Sequence, residues 1–522
     1  MKKYNLILLV GFFALVSCED FLVESPKTQI SVDQFFDSPE DARSSVNALY
    51  RSGAGDWYDF STSYWDGTDA MRSGYLSGLI NHPESRVGVQ VVKDLTLNPV
   101  NLSEWLNSVW GGHYNAIARA NLAIANIPDI EGMQQSEMNQ LLAEARFFRA
   151  YNYFNLVKNF GDVPLVVEPV GGLDEIFIPR DDASTVYQQI ITDLNWAIDN
   201  GGLSTAPFPM NDYKVTNGLV QTILAEVHLQ MAGYPVQDES QYANAAEAAR
   251  SVIQSGEYEL IEHGSTPEAS AYNVIRNSEV EREYIYDIEY DSEIASNPLP
   301  SLVYPRHTRP PGTTYIDGYN AYMPSEEYIS MYDPNLDLRV QNQQLFHSWM
   351  EVDGEIVEFG EHAPWFWHED QAIFETGRGT MNHHVLRYPL VLLIAAEGIA
   401  RSEGVTNEAV NYLADVRSRA YWETDRNLIE AELLAMSEQE FVEEVWKERI
   451  RELALEFKLW SDIQRTRLYP VASETNSGDV EFVDVVGHTN PRGVTFQEKH
   501  LLYPISNDEI QRNPELTQNP GY

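Results

Sequence analysis

The stretch EARFFRAYNYFNLVKNFGDVPLVV, Glu144–Val167, decides the architecture. Phe147, Ala150, Tyr151, Phe154 and Val157 recur every three or four positions, the spacing that places them on one side of a helix. Gly161, with Pro164 shortly after it, ends that helix, whose pattern begins at Ser136. Upstream, Ser103 opens another helix, and Leu106, Val109, His113, Ile117, Ala120, Ile124 and Ile127 keep the same period until Pro128 stops it. Two antiparallel helices with buried faces are predicted.

The pattern extends in both directions. Ser38, Pro39, Glu40 and Asp41 supply a cap, a first-turn proline and an early acid for a helix reaching about Tyr50. Thr185 to Ala197, Thr216 to Met231 and Ser240 to Ser255 continue the series, the last with a small-residue stripe of Ala245, Ala246, Ala248 and Ala249 that permits close helix packing. Between Ser265 and Arg387 the helical signal fades. Pro389 to Arg401 and Asn407 to Arg419 then form another pair. One long amphipathic helix is predicted from the capping box Ser437 and Glu440, with Trp446, Ile450, Leu453, Phe457 and Trp460 as its packing stripe. Helical hairpins in series suggest a repeat array, although a strict 34-residue tetratricopeptide period is not legible.

The N-terminus carries an address. Lys2 and Lys3 precede an apolar run, Leu6 to Val16, too short to stay in a bilayer as a span. The run ends in LVSC, and Cys18 is the one cysteine of the chain. Residues 1–17 are predicted to be a lipoprotein signal peptide, and Cys18 the residue that carries the acyl chains. Once Cys18 is acylated, no thiol is left for disulfides, metal thiolates or nucleophilic catalysis.

Composition limits the partners. The 522 residues include 35 basic and 79 acidic side chains, a formal net charge of −44, which repels nucleic acid phosphates. No nucleic acid partner is expected. The same charge disfavours strongly anionic polysaccharides unless cations or a local basic patch intervene.

Several segments resemble one family. Glu144–Val167, RYPLVLLIAAEGIAR (Arg387–Arg401), LADVRSRA (Leu413–Ala420), ERIRELALEFKLWSDIQRT (Glu448–Thr466) and YPISNDEIQRNPELTQNPGY (Tyr503–Tyr522) are similar, in order, to blocks of the SusD/RagB family of outer-membrane nutrient-binding lipoproteins. SCEDFLVESP (Ser17–Pro26) and DQFFDSPEDARSSVNALY (Asp33–Tyr50) are similar too. Phe457 and Leu459 depart from the pattern, which has a smaller and a basic residue there, and Gly398 interrupts a helix otherwise built of better helix formers.

The resemblance implies a mostly α, SusD-like fold, with tetratricopeptide-like helical pairs as scaffold and a loop-rich ligand-binding part. The expected organisation is an N-terminal helical region, residues 18–260, and a C-terminal SusD/RagB region, residues 261–522, with a loop-rich insertion at 265–387. It also implies a lipid-anchored protein at the cell surface of the outer membrane. Its implied partner is a SusC-like TonB-dependent barrel, over which relatives act as a lid. The implied work is binding and gating rather than bond breaking, without cofactor or catalytic residues.

A sugar ring offers an apolar C–H face and a rim of hydroxyls, so a glycan site needs flat aromatics and short polar groups. Two loops supply them. Trp65, Asp66, Asp69 and Arg72 stand in one, and Tyr315, Trp349, Trp365 and Trp367 in the other. The aromatics are the expected stacking platforms; Asp66, Asp69 and Arg72 are the expected hydroxyl partners. The competing role for any of these rings is to close a loop-rich core or to dock on the barrel.

Other constellations are weaker. Asp333, Asn335 and Asp337 begin like a calcium loop, but Leu338 and Gln344 stand where glycine and glutamate belong, so an EF-hand is rejected. His362, His368, His383 and His384 lack zinc-site spacing and are read as hydrogen-bonding histidines, with no metal expected. The leading expectation is a protein that binds oligo- or polysaccharide. Peptides or another nutrient are the alternative cargo, and a glycoside hydrolase the third reading.

Overall fold

The structure is a computed structural model and describes residues 35–52, 74–81, 87–172, 176–305, 320–352 and 354–522. Helix α1 (Pro39–Ser52) starts at the expected Ser38, whose hydroxyl accepts the N–H of Asp41 at 3.3 Å. A short strand, β1 (Ile80–Asn81), precedes the first long pair, α2 (Ser103–Asn126) and α3 (Gln135–Phe160). Gly161 closes α3 at φ 73°, a conformation open to glycine and unfavourable for residues with a Cβ. The series continues with α4 (Ala183–Asn200), α5 (Asn217–Ala232) and α6 (Gln241–Gln254). The side chain of Thr216 caps α5 by accepting the N–H of Leu219.

Each helix packs on the next, α2 on α3, α3 on α4, α4 on α5 and α5 on α6, while α1 lies against α2 and α3. The chain then leaves the array. Between α6 and the next helix of the array the described residues carry α7 (Ala271–Asn277), β2 (Tyr284–Ile288), β3 (Met323–Pro324), β4 (Phe346–Val352), β5 (Glu355–Pro364) and β6 (His383–Arg387). After β6, α8 (Tyr388–Glu403) packs directly on α6, as though nothing intervened. A Cβ on Gly398 would stand 2.7 Å from the carbonyl oxygen of Tyr242 and 3.1 Å from the Cβ of Ala246. The stripe of small residues on α6 and the glycine in α8 are two halves of one close contact.

Helices α9 (Asn407–Ala420), α10 (Arg426–Leu434) and α11 (Glu438–Glu452) complete the array, with α9 and α11 both on α8. One apolar core, from Ala42 to Leu516, runs through both halves of the chain. The expected capping box of Ser437 and Glu440 is present. The expected single long helix is not. It ends at Glu452, Phe457 adopts φ 58°, and α12 (Leu459–Thr466) starts afresh. The stripe serves different neighbours: Trp446 meets Phe482, Phe457 turns into the rings of Tyr322, Trp367 and His383, and Trp460 meets Phe496. A β7–β8 hairpin (Leu468–Ala472, Val480–Asp484) and α13 (Asn507–Arg512) follow.

Among the described residues every sheet is an antiparallel pair, β1 with β3, β2 with β6, β4 with β5 and β7 with β8. The β2–β6 pair sets Tyr284 opposite Arg387, so the insertion leaves and re-enters the array at one place. Buried ions clamp that place. Arg387 donates to Glu283 at 2.6 Å and to Glu452 and Glu456, and Arg419 to Glu283 at 2.6 Å and Glu452 at 2.7 Å. Arg339 binds Asp337, Glu448 and Glu452. Burial raises the Glu448 carboxyl, but Arg339, Arg417 and Arg451 outweigh it and hold it at about 2. These pairs join β2, β6, α9 and α11 with directional contacts that tolerate little displacement.

Candidate functional site

The two loops singled out by their aromatics lie far apart in sequence, and the structure pairs described segments that border them. Strand β1 follows the first and β3 lies within the second, and they pair with Ile80 opposite Pro324 and Asn81 opposite Met323. Tyr75, which closes the first loop, is buried with its ring 5.4 Å from that of Tyr322. Tyr322, at φ 61°, then meets Trp367 at 5.3 Å and Phe457 at 5.3 Å. The large aromatic at position 457 thus fills one layer with Tyr322, Trp367 and His383.

A second aromatic layer lies along the β4–β5 hairpin. Tyr304, Met350, Phe359 and Ile373 form a small core, with the Tyr304 hydroxyl against the Met350 sulfur. His347, Trp365 and His368 line its edge. The Trp365 ring stacks on His368 at 4.1 Å and 17°, its indole N–H donates to Asn273 Oδ1 at 2.9 Å, and the Arg276 guanidinium lies 4.6 Å from the ring. Burial pushes His347 well below the usual imidazole range and His368 also down, so both rings are neutral. His383 is pushed down to about 3 by the same cause.

Of the predicted platforms, Trp65 and Tyr315, like the polar Asp66, Asp69 and Arg72, lie outside the described residues. Trp349 is half-buried on β4, opposite Glu358, just past a register shift that follows His347. Trp365 and Trp367 are only 8% and 6% exposed. They are walls of the aromatic layers rather than open platforms, because histidine, arginine and phenylalanine side chains already occupy their surroundings. Sequence reasoning passed over His347, Asn273, Arg276 and the Asn320–Glu361 hydrogen bond of 2.7 Å. No periodicity marks them, since each is placed by a contact between distant segments.

The weaker constellations are resolved by geometry. Asp337 is fully buried and given over to Arg339, and Asp333 accepts the N–H of Asn335 at 2.8 Å to pin a turn. His384 bonds Asp287 at 2.8 Å and His368 bonds Asp370 at 2.8 Å. Among the described residues no three His, Cys, Asp or Glu side chains converge to hold a metal ion.

The helical half carries a separate cleft of about 690 Å³ between α2, the strap of residues 164–170, Ile176 to Ile178 and α13. Trp110, Tyr114 and Phe177 line it with Asn121, Glu509 and Arg512, and Val170, Ile176 and Phe177 are exposed at its rim.

Two family models match the chain. One, the SusD family, covers residues 362–522, and the other, described as starch-binding and associating with the outer membrane, covers residues 20–202. The chain is 26% identical to SusD-like protein P2 of Formosa agariphila over the whole of both sequences. It is 26% identical to a SusD superfamily protein of Parabacteroides distasonis of known structure, with a TM-score of 0.79 over 92% of this chain and 99% of that one. The surface glycan-binding protein A of Bacteroides thetaiotaomicron, solved with laminarihexaose, shares the fold at 18% identity and a TM-score of 0.70, over 92% of this chain and 99% of that one.

Proposed function

The chain belongs to the SusD/RagB family, and from that premise we propose that it is a cell-surface lipoprotein that captures oligo- or polysaccharide and acts as the lid of a SusC-like TonB-dependent outer-membrane barrel. The observation that supports the glycan part is the β1–β3 pairing, which sets the segments bordering two aromatic-rich stretches of sequence side by side, next to the Tyr322, Trp367 and Phe457 layer. The family description as starch-binding and the laminarihexaose bound to a protein of this fold support the same class of ligand.

In this reading Trp65, Tyr315 and Trp349 stack on sugar faces, and Asp66, Asp69 and Arg72 meet the hydroxyl rim. Trp365 and Trp367 hold the floor under them. Cys18 anchors the protein by its acyl chains. The exposed Val170, Ile176 and Phe177 give the helical half an apolar rim suited to a large partner, and we assign the barrel to it. Cargo is retained by affinity and released by opening of the lid, with no covalent step.

The test is calorimetric titration of residues 19–522 with neutral and anionic polysaccharides, their oligosaccharides and a peptide digest. Saturable binding to a glycan, weakened about tenfold in Trp349→Ala with the fold intact, is expected. Binding to peptides alone would move the cargo to the alternative, and release of new reducing ends on long incubation would replace binding by hydrolysis.

A further inference from the structure

Two imidazoles are packed into the aromatic cluster behind the β4–β5 hairpin. His347, on β4, and His368, which follows β5, are both buried, with their rings 5.8 Å apart. Trp365 stacks on His368 at 4.1 Å and lies 5.0 Å from His347. Phe359 meets His347 edge-on at 4.7 Å, and Tyr304 lies 6.3 Å from each imidazole. Each ring has one nitrogen that nothing satisfies. His368 Nε2 faces the carboxylate of Asp370 at 2.8 Å and must carry the proton there, so its buried Nδ1 keeps a lone pair without a partner. The buried Nδ1 of His347 has no partner either. The cationic form of either ring carries an N–H at Nδ1, and no acceptor stands there.

The surrounding charges oppose a second proton as well. From α7 the guanidinium of Arg276 lies 4.6 Å from the Trp365 ring and donates to the carbonyl of His368 at 2.8 Å, and among the described residues it forms no ion pair with a carboxylate. His347 is faced by Arg276, by His368 and by His362 of β5, and among the described residues no carboxylate offsets them. The Tyr304 phenol beside it is neutral, because burial raises it. His368 has Asp370 and Glu369 on its favourable side and Arg276 against it, and burial outweighs the two acids. Glu369 is itself engaged by the N–H and hydroxyl of Thr380. Both imidazoles are neutral while the cluster is closed, and both regain the ordinary value of about 6.5 once water reaches them.

The cluster sits where the hairpin ladder is interrupted. His347 stands opposite Ala363 and Trp349 opposite Glu358, so β4 runs from 347 to 349 while β5 runs from 363 to 358, and Gly360 takes φ 73° within that excess. The half-buried Trp349 is thus two residues from His347, across a bulge with few ladder bonds to hold it. We propose that His347 and His368 form an acid-sensitive latch behind the β4–β5 hairpin, in which a proton taken up by either ring drives it from Trp365, opens the bulge and displaces Trp349. The loosening of the hairpin rests on the cluster alone; the release of cargo that follows rests on the glycan-binding reading above. The latch is complete above a pH of about 6.5. Below it each histidine favours the open form by up to about tenfold per pH unit, until its lowered value in the closed form is reached.

The experiment follows amide exchange of the mature protein from about pH 7.5 to about pH 5, corrected for the intrinsic pH dependence of exchange. Laminarihexaose and soluble starch are titrated calorimetrically over the same range. Opening of β4 and β5, measured against α8, should rise about tenfold or more on acidification and return on neutralisation. A His347→Phe, His368→Phe double variant should lose most of that rise, and His347→Gln, His368→Gln is the polar counterpart should the larger rings prevent folding. Saccharide affinity should fall with pH in the parent protein and hold in the variants. If neither saccharide binds at the upper pH, the glycan reading fails and the amide slopes alone decide the latch. Equal slopes in parent and variants, no greater acid response in β4 and β5 than in α8, or affinity that falls while the hairpin amides stay protected would each overturn the proposal.

Discussion

Where α6 meets α8, the contact is close, with Ala246 packed beside Gly398 and Ala245 and Ala249 buried on the same helix. Where β2 and β6 meet α9 and α11, it is made of guanidinium and carboxylate groups, with Arg387 and Arg419 reaching Glu283 and Glu452. Both contacts are buried, and they do different work. Apolar burial is non-directional and sums over area, so the array is stabilised by many interchangeable contacts. A buried ion pair adds little net stability over a well-packed apolar pair of the same shape, yet it leaves an uncompensated charge when half of it is removed. The base of the insertion is thus held in one geometry, which suits a face assembled from distant loops.

Breaking the clamp gives the largest expected effect. Arg387→Ala takes the guanidinium partner from the buried Glu456 and leaves Glu283 and Glu452 to Arg419 and Arg339, and should lower unfolding free energy by about 3–5 kcal/mol in urea titration. Amide exchange should quicken first in β2 and β6. A smaller loss from an Arg387→Met, Glu283→Leu, Glu456→Leu triple variant than from Arg387→Ala would separate stranded charge from lost packing.

The tryptophans sharpen the contrast within the insertion. Trp365→Ala removes a buried ring and should cost about 3 kcal/mol of stability. Trp349→Ala, on a half-buried strand position, should leave the urea midpoint nearly unchanged and weaken glycan binding by about 1–2 kcal/mol. Equal losses of stability would erase the distinction between wall and platform.

Acid should find the insertion before the array. His347, His368 and His383 are neutral in the fold because burial lowers each of them, His383 to about 3. In the unfolded chain each takes up a proton below a pH of about 6.5. Their contribution is therefore complete above that pH and declines below it by up to ~1.4 kcal/mol per pH unit for each ring, His383 ceasing to contribute further loss near its folded value. Asp287 and Glu456, whose carboxyls burial raises, offset part of the loss as they take up protons in the fold. His383→Phe should shrink the difference in unfolding free energy between pH 7 and pH 5 by about 2 kcal/mol. An unchanged difference would mean that the histidines do not set it.

The smallest effect tests the array itself. Helix propensity alone favours Gly398→Ala by about 1 kcal/mol. The added methyl would press on the backbone oxygen of Tyr242 at 2.7 Å, and overpacking of that kind costs about 1–3 kcal/mol. A net loss of about 1 kcal/mol is expected, read from the urea midpoint. A gain would show that α6 and α8 can move apart freely.

The array was legible because its signal is local. Phe147, Tyr151 and Phe154 repeat at helical spacing, and Ser437 with Glu440 announces a helix start whatever surrounds it. The break after Glu452 was not legible, because Leu453, Phe457 and Trp460 keep that spacing across a turn in which a phenylalanine, not a glycine, takes the positive φ. Aromatic content singled out two loops, but strands β1 and β3, which pair near them, are two residues each and far apart in sequence. Burial separated Trp365 and Trp367 from Trp349, and composition does not report burial. The clamp was invisible for the same reason: Arg419 and Glu452 lie on helices and Arg387 at the end of a strand, and no spacing reports that they meet.

The pairing of Tyr284 with Arg387 has a meaning for the history and the engineering of the chain. Residues facing each other on antiparallel strands lie about 5 Å apart, so the excursion between them begins and ends at neighbouring points. It behaves as a cassette. Exchange of its interior for that of a relative is expected to leave both ends fastened and α6 on α8, which the urea midpoint of the chimera would check. A chimera that keeps Glu283, Arg387, Glu452 and Glu456 keeps the fastening at both ends while everything between Tyr284 and Arg387 is replaced.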